Sequence, residues 1–227
     1  MNKTIVVIGA SRGIGKALVE LLAKNKEFTI YALSRNIEQL KANFKDFKNV
    51  ISAEFDLEHS VSKQLQNIFS KSAQIDVLIN NAGWLVNKSF DKITHEEFTK
   101  SYQINVIGVM ETCQFFIPLM KNSHIVNISS MGGFQGSMKF PGLAAYSSSK
   151  AALCNFTELF AEEYKNTGLR MNCLCLGSVQ TEMLEEAFPG YKAVISPDEM
   201  AIYIADFALN KSAWMNGKII PVSLTTP

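Results

Sequence analysis

The sequence predicts an α/β fold: a doubly wound parallel sheet of about seven strands with helices on both faces, forming one domain over residues 1–227. Three observations predict it. Short apolar runs alternate with longer amphipathic ones along the chain, and such alternation requires crossover connections that leave neighbouring strands parallel. The short runs are apolar almost throughout, as strands covered on both faces must be. The segments that follow them are rich in glycine, serine, asparagine and arginine, at the strand ends where sheets of this kind bind ligands.

The first strand is expected at Thr4–Ile8. A helix from about Gly13 to Lys26 follows, with Ile14, Ala17, Leu18, Leu21 and Leu22 at helical spacing. Phe28–Leu33 is the second strand, Ile37–Phe44 a short helix and Val50–Phe55 the third strand. Val61, Leu65, Ile68 and Phe69 mark the next helix, and Ile75–Asn80 is the fourth strand. Thr94 and Glu97 have the spacing of a capping box that opens another helix. A long helix is expected through Ile104–Met120, then a fifth strand at His124–Ser129. A second long helix is expected from about Ala145 to Lys165, and a sixth strand at Arg170–Leu176. Ser196, Pro197 and Glu199 read as cap, first helical position and closing acid of one more helix. Lys218–Val222 is the last strand. No internal repeat, linker or low-complexity tract divides the chain.

With 47% hydrophobic and 19% charged residues, the composition is that of a globular protein. The net charge of +1 implies no nucleic-acid surface and no polyanionic partner. No apolar run is long enough to span a bilayer, and Ile5–Ile8 is too short for the core of a signal peptide. No membrane association is expected, and the expected location is cytoplasmic. Of the four cysteines, Cys173 and Cys175 would share one face of a strand, while Cys113 and Cys154 stand apart. The three histidines are scattered, so buried thiols and no metal site are expected.

The strand ends carry the candidate chemistry. After the first strand comes Gly9-Ala10-Ser11-Arg12-Gly13-Ile14-Gly15. Glycines there allow a tight turn and close backbone approach, and a helix N-terminus offers N–H groups to a pyrophosphate. After the second come Ser34 and Arg35, where an NAD-binding fold would carry an acid for the ribose hydroxyls. Arg35 with Arg12 would suit a 2′-phosphate, which guanidinium groups grip by paired hydrogen bonds; solvated surface arginines are the alternative. Asp56 and Leu57 follow the third strand, suited to an adenine amino group and ring. Asn80-Asn81-Ala82-Gly83 follows the fourth, its small residues leaving room above the strand tip. Ser129 and Ser130 follow the fifth. Tyr146 and Lys150 open the second long helix on one face, where an ammonium would lower the phenol pKa toward the range of acid–base work.

Together these residues resemble the short-chain dehydrogenase/reductase family over nearly the whole chain. Gly9, Gly13 and Gly15 match its cofactor glycines, Asn80 to Gly83 its Asn-Asn-Ala-Gly motif, Asn105 its helix asparagine, and Ser130, Tyr146 and Lys150 its serine, tyrosine and lysine. The resemblance implies a Rossmann-like fold and an NADP(H)-dependent oxidoreductase, NADP(H) being preferred over NAD(H), that exchanges a hydride with a carbonyl or alcohol. It implies that Ser130 polarises the substrate oxygen and that Tyr146 exchanges the proton. Lys150 would hold the nicotinamide ribose, and Asn105 would anchor a water beside it. Ser11, Ile14, Asn81, Ala82, Gly83, Gly177, Val179 and Thr181 would join the cofactor contacts. Three departures stand out: Ile8 replaces the usual threonine, Leu176-Gly177 the usual proline-glycine, and the end from Asn216 lacks the usual aspartate-glycine-glycine. The last weakens the expectation of a tetramer and leaves a homodimer through the two long helices. A longer than usual segment from Ser130 to Tyr146 keeps Ser129 as a second candidate serine.

Substrate loops are expected at about 131–145 and 178–195, together with the segment after Gly83. They carry Met131, Phe134, Met138, Phe140 and Leu143; Met183, Leu184, Phe188 and Tyr191; and Trp84, Leu85 and Val86. A small, largely apolar substrate would suit them, a plain lid or interface being the alternative. Two other functions share the fold: a non-catalytic NADP(H) sensor, which would have no use for the Asn105, Ser130, Tyr146 and Lys150 set, and an isomerase or dehydratase that uses the cofactor transiently, which the glycine spacing disfavours.

Overall fold

The computed structural model describes residues 2–224, so Met1 and the last three residues of the expected single domain lie outside it. Alternation along β1 (Lys3–Ile8) sets both layers of the fold. Ile5 and Val7 point into one core and Val6 and Ile8 into the other. The other strands are β2 (Phe28–Ser34), β3 (Val50–Glu54), β4 (Ile75–Asn80), β5 (Met120–Ser130), β6 (Arg170–Leu176) and β7 (Ile219–Val222), ordered β3-β2-β1-β4-β5-β6-β7. Every pairing is parallel, as expected of strands joined by crossovers. The first core is covered by α1 (Gly13–Leu22), α2 (Ile37–Phe44) and α8 (Pro197–Asn210). The second lies under α3 (Val61–Ile68), α5 (Gly108–Phe116) and α6 (Ala144–Glu163). The order reverses between β1 and β4, so the chain leaves them toward opposite faces and opens a crevice.

Both capping boxes form. Thr94 caps α4 (His95–Tyr102) with Glu97 closing the box, and Ser196 caps α8 with Glu199. Most boundaries fall within two residues of expectation, with three corrections. Helix α1 ends at Leu22, not near Lys26, because the Asn49 side-chain amide donates to the carbonyls of Ala23, Asn25 and Phe28 and holds that stretch as a turn. The helix expected through Ile104–Met120 is instead the continuation of α4 through a π turn at Gln103–Ile107 into α5, which ends at Phe116. Pro118, which cannot donate to a helix, sits in a 3-10 turn, and β5 starts at Met120 rather than His124. Third, the expected loop at 178–195 contains a short helix, α7 (Glu182–Ala187), whose Thr181 side chain accepts from the Leu184 N–H. No helix among the described residues is long and apolar enough to cross a membrane.

His124 is sealed between β5 and α8. It is 2% exposed. Asn172 Nδ2 donates to its Nε2 (2.9 Å), so its Nδ1 proton goes to the Ala208 carbonyl (2.9 Å). Burial pushes its pKa down to about 4. Above its ordinary 6.5 the neutral ring suits both folded and unfolded states; below that the unfolded chain takes up a proton that the folded one refuses, and stability is lost as pH falls toward 4. The loss is expected to reach about 3 kcal/mol. Urea unfolding across that window checks it, and His124→Gln should flatten that part of the dependence.

Candidate functional site

A cleft of about 610 Å³ opens at the carboxyl ends of β1, β4, β5 and β6. Its floor is the turn after β1. Gly9 has φ of +86°, and a Cβ there would lie 2.6 Å from the Ala82 Cα, so only glycine fits. Asn81 Nδ2 donates to the Gly9 carbonyl (2.9 Å), tying this turn to the segment after β4. Helix α1 starts without a side-chain cap and without an acid in its first turn, which leaves its N–H groups and positive dipole end open to an anion. Ser11, Arg12, Gly13 and Ile14 line the cleft beside it. Gly15 does not. A Cβ there would be 2.1 Å from the Gly9 carbonyl oxygen, so this glycine serves close packing rather than ligand contact.

Ser34, Arg35, Asp56 and Leu57 line the next part of the wall. Asp56 spends one carboxylate oxygen on the Glu58 N–H (2.9 Å). The two arginines differ. Arg35 is exposed and pairs with no carboxylate among the described residues. Arg12 is engaged by both carboxylate oxygens of Glu186 on α7, the second at 3.2 Å from Nη2. That hydrogen bond holds the Glu186 carboxyl below its ordinary pKa. Sequence reasoning missed Glu186, because it overlooked the Thr181 cap and the acids of the first turn that mark α7.

Ser130, Tyr146 and Lys150 face the same cleft from β5 and α6. The two candidate serines are separated by their bonds: Ser129 Oγ is buried and donates to the Lys150 carbonyl (2.9 Å), while Ser130 Oγ accepts from the Gly132 N–H (3.1 Å) and lines the cleft beside Tyr146. Lys150 is 3% exposed, and its Nζ donates to the Ile128 carbonyl (2.8 Å). Burial pushes its pKa down to about 8, opposed by the charge of the nearby cysteines, Cys173 first. The expected lowering of the Tyr146 pKa by Lys150 is not found. Burial pushes the phenol up, and the Ser130 hydroxyl, not the lysine, works against that. The ammonium stands 5.9 Å from the Tyr146 ring centroid, committed to Ile128.

Asn105, expected among the catalytic and cofactor-contacting residues, lies one layer behind the cleft. Its Oδ1 accepts from the Trp84 N–H (2.8 Å), and its Nδ2 donates to the Trp84 carbonyl and to Ser149 Oγ (both 2.9 Å). A Cβ on Gly83 would be 3.3 Å from Lys150 Nζ and 3.5 Å from Asn105 Oδ1. Asn105 thus clamps the Gly83-Trp84 segment against the lysine and is a positioning residue. Ala82, Gly83, Gly177, Val179 and Thr181 line the cleft as expected, with Asn81. Of the apolar candidates, Met131, Phe140, Leu143 and Leu85 line it, as do Met183, Leu184, Phe188 and Tyr191. Phe134 and Trp84 pack into the interior instead, and Met138 and Val86 lie off the cleft. Lys139 is tied locally, to the Phe134 carbonyl and Ser137 Oγ.

The family model of the short chain dehydrogenases matches residues 3–192. The chain is 27% identical to a 3-oxoacyl-acyl-carrier-protein reductase of Chlamydia muridarum, covering 98% of this chain and 96% of that one. It is 29% identical to carbonyl reductase family member 4 of Xenopus laevis, over 82% and 79% of the two chains. Among solved structures, a 4-hydroxyisoleucine dehydrogenase in complex with NADH superposes with a TM-score of 0.83 at 25% identity, over 98% and 97% of the chains. A 3-ketoacyl-acyl-carrier-protein reductase from Brucella melitensis in complex with NADH superposes with a TM-score of 0.87 at 21% identity, over 97% and 96%.

The packing role of Gly15 is testable on stability alone. Gly15→Ala should lower the free energy of unfolding by about 1–3 kcal/mol, the usual cost of overpacking. An unchanged thermal midpoint would refute the close approach to Gly9.

Proposed function

The chain belongs to the short-chain dehydrogenase/reductase family of oxidoreductases, and on that premise we propose that it is an NADP(H)-dependent reductase of small, largely apolar carbonyl compounds, with Tyr146 as the proton donor. One observation carries this reading: Ser130, Tyr146 and Lys150 face the same cleft whose other end is an uncapped helix N-terminus over a glycine turn. A dinucleotide fits that layout, its pyrophosphate on the N–H groups of α1 and its nicotinamide end near Lys150. When bound, it supplies the hydride donor or acceptor.

The chain's own groups do the rest. Ser130 Oγ, in the cleft beside Tyr146, donates to the substrate oxygen and stabilises the charge that grows there. Tyr146 gives its proton to that oxygen on reduction and recovers it on oxidation. Its raised pKa keeps the phenol protonated at neutral pH, which suits the reducing direction. Lys150 is still mostly charged at neutral pH, and its fixed ammonium marks where the ribose hydroxyls would sit. The preference for NADP(H) rests on Arg35, which pairs with no carboxylate among the described residues at the edge of the cleft, and on Arg12, which must exchange the Glu186 carboxylate for a phosphate. The apolar walls from Met131 and Leu143 to Phe188 favour an apolar substrate. Lys139 is one exposed ammonium near these walls, too little by itself to argue for an acidic carrier.

NADPH oxidation with a panel of ketones, aldehydes, quinones and 3-oxoacyl thioesters tests the reading. Wild type should turn over at least one class, and Tyr146→Phe should lose about 100-fold or more in kcat. NADPH binding without turnover on any class would favour a sensor. Arg35→Asp should shift the ratio of NADPH to NADH affinity toward NADH by about tenfold or more, about 1.4 kcal/mol; an unchanged ratio would remove Arg35 from the cofactor contacts.

A further inference from the structure

Three of the four cysteines meet behind the helix that carries Tyr146 and Lys150. Cys173 and Cys175 alternate onto the α6 side of β6, and α6 sets Cys154 over them, one helical turn beyond Lys150. Cys154 Sγ is 3.9 Å from Cys173 Sγ and 3.5 Å from Cys175 Sγ, and all three sulfurs lie within 4.8 Å of one another. Three sulfurs placed about 2.3 Å from a shared ion, an ordinary metal–thiolate length, stand about 4 Å apart when ion and sulfurs are coplanar. The spacing is already that of a ligand set. The cluster is also sealed: Cys173 and Cys175 are 0% exposed and Cys154 8%, and Met131, Phe134 and Ile219 pack around them.

We propose that Cys154, Cys173 and Cys175 form a three-coordinate thiolate site for a soft monovalent cation, copper(I). The donor set makes the selection. Closed zinc sites take four ligands, and among the described residues no fourth thiol, imidazole or carboxylate joins these three. Cations that prefer oxygen find no carboxylate or free carbonyl in the set, whereas soft sulfur ligands favour copper(I). One copper(I) enters, each ligand thiol that carries a proton releases it to solvent, and the metal keeps its oxidation state; the loaded site of three thiolates and one copper(I) has a net charge of −2, partly offset by the Lys150 ammonium. The fold supplies what the sequence spacing hid: the third donor comes from a different element, 19 positions before Cys173.

The test uses the full-length, reduced, metal-stripped protein in anaerobic competition with bicinchoninate, a chromophoric chelator of copper(I). Wild type is expected to withdraw one copper(I) per chain, more tightly as pH rises because protons are released. Cys154→Ala and Cys175→Ser should each weaken uptake by at least about 100-fold, the upper end of what even outer partners of a metal cost. Cys113→Ala, outside the cluster, should leave it unchanged; circular dichroism confirms that each variant is folded. Failure of folded wild type to withdraw copper(I) would overturn the proposal. So would uptake that survives Cys154→Ala or that is lost equally in Cys113→Ala. Loss of two thiols to hydrogen peroxide, from protein that takes up no copper(I), would point instead to a disulfide-forming pair.

Discussion

The backbone contact between Gly9 and Ala82 is the constraint on which the site depends. The two segments leave adjacent parallel strands toward opposite faces, and they touch because Gly9 has no Cβ. Asn81 fastens the contact with a hydrogen bond to the Gly9 carbonyl. Gly15 then lets α1 descend onto that same carbonyl. The open N–H groups of α1 and the small residues Ala82 and Gly83 are thereby brought to one edge of one crevice. With a side chain at Gly9 the two walls would part, and the anion end and the acid–base end would no longer share a cavity.

The far wall shows burial outweighing the nearby groups that oppose it. Desolvation favours uncharged forms, so it raises the Tyr146 pKa and lowers that of Lys150. A bare tyrosine–lysine pair would predict the reverse for the phenol. The lysine remains ordered because the Ile128 carbonyl accepts from it, and because Asn105, through the Trp84 peptide, holds Gly83 close by. Geometry is built into this wall; the electrostatic bias awaits a charged occupant.

Strands, glycine turn and capping boxes were legible in the sequence because each is written in local chemistry: period-two burial, glycine where a Cβ would clash, an oxygen three residues before an acid. What escaped is what depends on partners distant in sequence. Arg12 reads as a free cation until α7 brings Glu186 to it across the cleft. Asn105 reads as a site residue, but its side-chain bonds run to Trp84, Ser149 and Ser101. The thiol cluster was half visible in the two-residue spacing of β6 and completed only by the packing of α6. The end of α1 was missed because the residue that stops it, Asn49, lies beyond the next strand. Two features were missed despite a local signal: α7, and the helix end before Pro118.

The π turn between α4 and α5 carries a consequence of its own. It takes up one more residue than an α-helical turn would, at Gln103–Ile107. Upstream, Ser101 bonds the Ala145 carbonyl and Ser149 Oγ on α6. Downstream, Val109, Cys113 and Phe116 are seated in the core. An α-helix turns about 100° per residue, so deleting a single residue here would let the backbone become regular and swing one of these faces away from its seat. The irregularity keeps a polar tie and an apolar seat in phase. The number of residues in this stretch is therefore as constrained as their identity.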